Sequence, residues 1–157
     1  MIREPWENIF QDFLNRMQEL SNNHGCRFRE GIFEAVRGKS RSIRDLHVYT
    51  LSKLSNQNTE VWISPHVSLS ARPFWGVPME WIDKFENLRR RLTSVKIDWA
   101  VALLTGGERG YFLNASDFMN LRSNFSISRN NYKINEKDLN SQFKFWGYEE
   151  LFDRLGL

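Results

Sequence analysis

A cluster of basic residues lies between positions 37 and 44. The segment RGKSRSIR contains Arg37, Lys39, Arg41 and Arg44 and no acidic residue. Cations grouped in this way can neutralise the phosphates of a nucleic-acid backbone if other cations join them in space. The alternative is a solvated loop. We predict that the four side chains belong to a nucleic-acid-binding element.

A second candidate for binding chemistry combines a cation with two aromatic rings. Arg72 precedes Phe74 and Trp75, and prolines at positions 73 and 78 predict a rigid loop around the two rings. Exposed rings stack on bases or fill a partner's pocket, and arginine pairs with phosphate or carboxylate. We therefore assign Arg72 and Trp75 to the predicted nucleic-acid site. The alternative is that Trp75 closes the core beneath the loop.

His66 is the candidate for proton transfer, because histidine changes its charge near neutral pH. A general base also needs an orienting group, and in this chain Asp45 or Ser64 is the candidate. The structural alternative is a histidine hydrogen-bonded at a strand edge and an aspartate that bonds a turn at the start of a strand. The three residues together define a candidate enzymatic site.

Several other chemistries and settings are excluded by what the sequence lacks. The single cysteine, Cys26, rules out an internal disulfide and a multi-thiolate metal site. The glycine-rich run at 105–110 lacks the lysine of a phosphate-binding loop. No apolar stretch approaches the roughly 20 residues of a membrane helix, and the first residues do not resemble a signal peptide. We expect a cytoplasmic protein that makes no membrane contact.

Hydrophobic periodicity predicts the elements that must position these side chains. With 157 residues and 41% hydrophobic content, the chain is expected to form a single domain over 1–157. The pattern predicts helices over 5–22 and 79–94, an antiparallel hairpin of strands 45–54 and 59–65, and a buried central strand over 97–104. Further strands are predicted over 26–36, 111–113 and 132–134, with a helix from Glu30 as the alternative within the first, and a closing helix is predicted over 147–155. Ser116 is expected to cap a short helix over 117–121, and residues 65–78 to be largely irregular.

These elements predict an α/β fold, with α+β as the alternative, in which a mixed central sheet is flanked by helices. Their order resembles the core of the PD-(D/E)XK, or restriction-endonuclease-like, superfamily over roughly residues 6–115. The resemblance implies two carboxylates on adjacent strands that hold Mg²⁺, and a lysine that positions water. Asp45 takes the place of the first carboxylate. The Glu-x-Lys motif of the next strand is missing, and Ser64 and His66 occupy its two positions at the end of that strand.

Other residues are alternatives for the missing groups. If the motif lies at the start of the strand instead, its positions are Glu60 and Trp62. Lys53 is a candidate for a migrated lysine, and Glu30 or Glu34 for a carboxylate from the preceding element. The resemblance therefore implies a degenerate site with Asp45 as metal ligand and Asp45, Ser64 and His66 as catalytic positions. It implies Mg²⁺ only if that site is an active nuclease.

Three functions follow from these observations, and the last of them is an enzyme of another class built around His66 with Asp45 or Ser64. The first is a nucleic-acid-binding domain in a defence or mobile-element context, with DNA as the expected partner; if it is an enzyme, it is a metal-dependent phosphodiesterase. The second is a protein-binding inhibitor, immunity or adaptor module without catalysis. The pattern does not predict an oligomeric state.

Overall fold

The computed structural model describes residues 4–30, 48–91 and 94–157. Short 3-10 helices also occur at Arg122–Asn124, Glu136–Asp138 and Ser141–Phe143. The helices and strands follow one another along the chain in this order: α1 (Pro5–Asn23), β1 (Cys26–Glu30), β2 (Tyr49–Lys53), β3 (Asn56–Val67), β4 (Phe74–Pro78), α2 (Met79–Arg90), β5 (Lys96–Gly106), β6 (Arg109–Asn114), α3 (Ala115–Leu121), β7 (Ser126–Ser128), β8 (Asn131–Asn135), β9 (Lys144–Trp146) and α4 (Tyr148–Arg154).

The larger of two sheets has six strands in the order β1-β2-β3-β5-β6-β9. Strands β3 and β5 run parallel, and each of the other neighbouring pairs is antiparallel. The predicted hairpin is confirmed over its described part, where Tyr49 pairs with Ile63 and Ser52 with Glu60. The parallel connection from β3 to β5 runs through β4 and α2. A mixed α/β architecture is therefore confirmed.

Strand β5 is central because both of its faces are apolar. Ala100, Ala102 and Leu104 belong to a core shared with α1 and α4, while Val101 and Leu103 belong to a second core shared with α2 and α3. Each of these five residues is at most 1% exposed. The predicted packing of the two long helices on the sheet is thus confirmed, with one helix on each face.

The second sheet corrects the expectation of one sheet. It has three strands in the order β4-β8-β7 and joins the core on the α2 face. Residues 65–78, expected to be irregular, continue β3 to Val67 and then form β4, which pairs with β8. Trp75 and Val77 alternate with exposed Phe74 and Gly76, so the two inward side chains of β4 are core residues.

Two helix ends also differ from the sequence expectation. Helix α3 begins at Ala115 rather than at position 117, and its cap is Asn114, whose side-chain oxygen accepts a 2.8 Å hydrogen bond from the amide of Asp117. The expected cap, Ser116, lies inside the helix. Helix α2 ends at Arg90 instead of position 94. None of the described helices is long and apolar enough to cross a membrane.

Candidate functional site

The site is built where the carboxyl ends of β3 and β5 reach the same edge of the large sheet. The carbonyl oxygen of Leu104 accepts two hydrogen bonds there, from the Ser68 amide at 2.9 Å and from the Trp75 indole Nε1 at 3.2 Å. The Ser68 hydroxyl in turn accepts a 3.2 Å bond from the Phe74 amide. These bonds fix the start of β4 against the ends of the two parallel strands.

Ser64 and His66 lie on one face of β3 because side chains two residues apart in a strand point to the same side. Ser64 Oγ and His66 Nε2 are joined by a 2.7 Å hydrogen bond. Ser64 is only 2% exposed, whereas His66 is half-buried. The structure therefore brings together two of the three predicted enzymatic residues, and their hydrogen bond fixes the imidazole against the strand.

These two side chains line a cavity of about 510 Å³, which we call the Ser–His cavity. Hydroxyl and imidazole groups of β3 and the following loop form part of its wall, and aromatic rings from α1, β4 and α2 form the rest. None of the described residues that line it is acidic. They are Trp6, Phe10, Val48, Ser64, Pro65, His66, Val67, Ser68, Leu69, Ser70, Phe74, Trp75, Gly76 and Trp81.

The described residues of this cavity do not fit a magnesium ion. Mg²⁺ prefers carboxylate and other hard oxygen ligands in octahedral geometry, whereas Ser64 and His66 offer a hydroxyl and an imidazole already bonded to each other. Across residues 4–30, 48–91 and 94–157, no group of three His, Cys, Asp or Glu side chains is placed to hold a metal ion. The expected ligand Asp45 lies outside those ranges. We derive no metal-dependent step from this site.

The rim of the cavity corrects the prediction for Trp75. That ring was expected to project from a loop, but it is 2% exposed and packs edge-on against Tyr111 at 5.9 Å. The adjacent Phe74 is 48% exposed, and the ammonium of Lys133 lies 5.5 Å from the centre of its ring. The alternation of a strand places consecutive side chains on opposite faces, so of these two rings Phe74 is the one exposed to solvent. Arg72, also predicted for the site, is exposed and does not line the cavity.

The other predicted nucleic-acid contacts lie outside the part of the chain that the structure describes. Arg37, Lys39, Arg41 and Arg44 all fall within positions 31–47, so their assignment stays a prediction. Asp45 falls in the same segment. The sequence analysis named Phe74 as one of the two rings here but assigned only Trp75 to the nucleic-acid site, although period-two alternation within FWGVP separates the two side chains.

A second cavity, of about 500 Å³, also lies beside α1, and we call it the acidic cavity. Asp12, Glu19 and Glu108 line it together with Arg16, whose Nη1 is 3.0 Å from Glu19 Oε1 and whose Nε is 3.6 Å from Glu108 Oε1. Glu108 also accepts a 3.1 Å bond from the amide of Tyr148 at the start of α4. Burial raises the pKa of the Tyr148 phenol, and Glu108 and Asp12 raise it further.

No protein-family model matches the chain, and no curated protein sequence matches it.

Proposed function

We propose that this protein is a nucleic-acid-binding domain of restriction-endonuclease-like fold with a degenerate metal site. The observation that carries the proposal is the Ser–His cavity, which has no acidic side chain among its described lining residues and has the exposed Phe74 ring in its wall, with the Lys133 ammonium 5.5 Å from the centre of that ring. A polyanion is attracted to a surface that offers cations and rings without carboxylates.

The connectivity of the large sheet supports the fold part of this proposal. The chain runs α1-β1-β2-β3, then through α2 to β5, and the sheet order β1-β2-β3-β5 follows the same sequence. The single parallel pair, β3 with β5, is the one joined through the helical crossover. This order and pairing agree with the resemblance drawn from the sequence.

The residues at the end of β3 support binding rather than hydrolysis. Ser64 and His66 occupy the positions expected for Glu-x-Lys, and their side chains bond to each other at 2.7 Å. This pair supplies neither the carboxylate nor the ammonium of a metal-dependent nuclease. The cavity can still hold polar and aromatic groups of a nucleic acid through its hydroxyls, imidazole and exposed phenylalanine.

The experiment that tests the proposal is fluorescence anisotropy of a labelled duplex DNA measured over a series of salt concentrations. We expect log K to fall linearly with log salt, and Arg41→Ala with Arg44→Ala to reduce the slope by about two, since each lost phosphate contact removes about 0.9. Absence of binding even at low salt would overturn the proposal.

Arg89→Ala with Arg90→Ala is the matched control for that double variant. Both side chains already form ion pairs with Glu86, at 3.2 and 3.7 Å. The carboxylate that these two arginines share on their own helix offsets one of their two charges, so they release fewer counterions on binding. The salt slope of this control should match that of the unchanged protein, and an equal loss in both double variants would point to net charge rather than to specific phosphate contacts.

A protein partner is the second candidate, and one observation favours it. Leu69 and Phe74 are 55% and 48% exposed at the mouth of the Ser–His cavity, where they form an apolar edge that a partner's side chain would cover. A stoichiometric complex with a purified protein, together with indifference to DNA at low salt, would favour this function over the first.

A further inference from the structure

Trp146 is the most exposed aromatic side chain among the described residues, at 58%. It is the last residue of β9, which forms one edge of the large sheet. The guanidinium of Arg109, its partner across the strands, lies 5.1 Å from the centre of the indole ring, and the ammonium of Lys144 lies 4.6 Å from it. Two cations therefore flank one exposed indole.

The two cations are not neutralised within the described ranges. Neither Arg109 nor Lys144 forms an ion pair with any described carboxylate, in contrast to Arg16 and Arg154, which do. Contact with the indole holds both charges beside the ring without cancelling them. The Trp146 surface thus presents an aromatic ring and two positive charges to solvent.

The backbone at this edge is already occupied, which excludes a partner that adds a strand here. The guanidinium of Arg154 donates to the carbonyl oxygens of Lys144, at 3.0 Å, and Phe143, at 3.3 Å. The amide of Trp146 donates to a carboxylate oxygen of Glu150 at 3.1 Å. A pairing strand needs these backbone groups free. What remains available at β9 is the side-chain surface.

The Trp146 surface lies at the same end of the large sheet as the Ser–His cavity. Arg109 pairs with Gly106, two residues after Leu104, whose carbonyl anchors that cavity, and Trp146 pairs with Arg109. Along the sheet, β3 and β9 are three strand positions apart, or about 14 Å at the usual spacing. One flexible strand of nucleic acid is long enough to reach both.

We propose that Trp146, Arg109 and Lys144 form a stacking site for one base of a single-stranded nucleic acid, in which the base takes the place of a cation over the indole ring and the two cations contact the adjacent phosphates. The inference rests on the proposed function, because it requires that nucleic acid binds at this end of the sheet. A single strand is favoured over a duplex because an indole on an open surface needs a base whose face is uncovered, and paired bases are stacked on each other.

The test compares Trp146→Ala and Trp146→Phe on two probes, a labelled oligothymidine of about 12 nucleotides and a duplex of the same length. We expect Trp146→Ala to weaken single-strand binding by about 5- to 150-fold and Trp146→Phe to retain most of it, because phenylalanine still stacks. Duplex affinity should change by less than about twofold. The matched control is Ile127→Ala, which removes another exposed apolar side chain, 61% exposed, on the small sheet.

The contribution of the two cations is measured separately from that of the Trp146 ring, through the salt dependence of binding. Arg109→Gln with Lys144→Gln should lower the salt slope on the oligothymidine by about 1.4, since each phosphate contact on a single strand contributes about 0.7. Circular dichroism spectra and urea midpoints of all variants establish that they are folded.

The outcomes separate the two proposals. If the unchanged protein binds duplex DNA while Trp146→Ala leaves single-strand affinity intact, the stacking site is wrong and the proposed function stands. If Trp146→Ala weakens both probes equally, the single-strand site is also overturned. If the unchanged protein binds neither probe, the proposed function fails, and the stacking site fails with it.

Discussion

The Ser–His cavity and the acidic cavity have almost the same size, about 510 and 500 Å³, but opposite chemistry. Both border the amino-terminal half of α1, which directs Trp6 and Phe10 to the first and Ile9 and Asp12 to the second. This division follows from helical periodicity, since positions 6 and 10 share one side of the helix and 9 and 12 another. Volume alone therefore does not identify a functional site in this protein.

The carboxylates of the acidic cavity already have structural roles. Glu108 holds the Tyr148 amide at the start of α4 and lies 3.6 Å from Arg16, which also pairs with Glu19. These contacts join α1, the β5–β6 turn and α4. The Ser–His cavity instead presents hydroxyls, an imidazole and an exposed ring. We expect a polyanion to be repelled from the acidic cavity and to bind over the Ser–His cavity, and mutation of each cavity tests this difference.

The largest expected effect is on the free energy of unfolding, when one side chain in the wall of each cavity is replaced by alanine. Trp75→Ala should lower the free energy of unfolding by about 3–5 kcal/mol, because it removes a fully buried indole and its bond to Leu104. Arg16→Ala, in the wall of the acidic cavity, should cost less than about 1 kcal/mol, because its ion pairs are partly exposed. Urea denaturation followed by fluorescence and circular dichroism measures both.

Phe74→Ala is the matched control beside Trp75. Its ring is half-exposed, so we expect a loss of less than about 1 kcal/mol in stability. Near-equal losses for the two substitutions would contradict the assignment of Trp75 to the core and of Phe74 to the surface of the cavity.

Strands β3, β4 and β5 show how much of the fold can be predicted from the sequence. The run of apolar residues in β5 predicts a central strand because a strand covered on both faces needs no alternation. The spacing of Ser64 and His66 predicts that they share a face, and their 2.7 Å bond confirms it. Strand β4 was missed because it is short, contains Gly76 and Pro78, and pairs with β8 far along the chain.

The shape and charge of the site depend on contacts that no local pattern encodes. Trp6 lies more than fifty positions before Ser64 in the sequence, yet both line one cavity because α1 packs across the sheet. The absence of acidic residues among the described lining side chains is likewise a property of this packing. Hydrophobic periodicity predicts where helices and strands lie along the sequence, whereas the cavity forms only when those elements pack together.

The second prediction adds the same negative charge to each cavity. Ser70→Asp, at an exposed position of the Ser–His cavity, should weaken duplex binding by about five- to tenfold at low salt, because a like charge near a phosphate costs about 1 kcal/mol in water. The loss should shrink as salt is added. Anisotropy titrations at two ionic strengths measure it.

Asn15→Asp is the matched variant in the acidic cavity. Asn15 is exposed, and its side-chain oxygen accepts a 2.8 Å bond from Gln11 that aspartate can also accept. If the polyanion lies over the Ser–His cavity alone, this added charge changes affinity by less than about twofold. An equal loss in both variants would mean that only net charge matters and would remove the distinction between the cavities.

The smallest expected effect is the change in the free energy of unfolding when a buried tyrosine hydroxyl is removed. Each of the two cores contains one of the tyrosines compared, Tyr111 and Tyr148. The Tyr148 hydroxyl, in the wall of the acidic cavity, has no hydrogen-bond partner among the described residues, whereas the Tyr111 hydroxyl donates to Glu136 at 2.9 Å. A buried hydroxyl without a hydrogen bond costs about 1–3 kcal/mol of stability. Its removal recovers that free energy but leaves a small void, which offsets part of the gain. We expect Tyr148→Phe to raise the free energy of unfolding by about 1 kcal/mol.

Tyr111→Phe is the opposite case, because it removes a hydrogen bond that is made. We expect it to lower the free energy of unfolding by about 1 kcal/mol, a typical value for one bond. Urea unfolding of both variants gives the signs, and only opposite signs agree with the contacts of the two hydroxyls. If Tyr148→Phe destabilised the protein as much as Tyr111→Phe, the Tyr148 hydroxyl would have a hydrogen-bond partner outside the described residues, such as a bound water molecule.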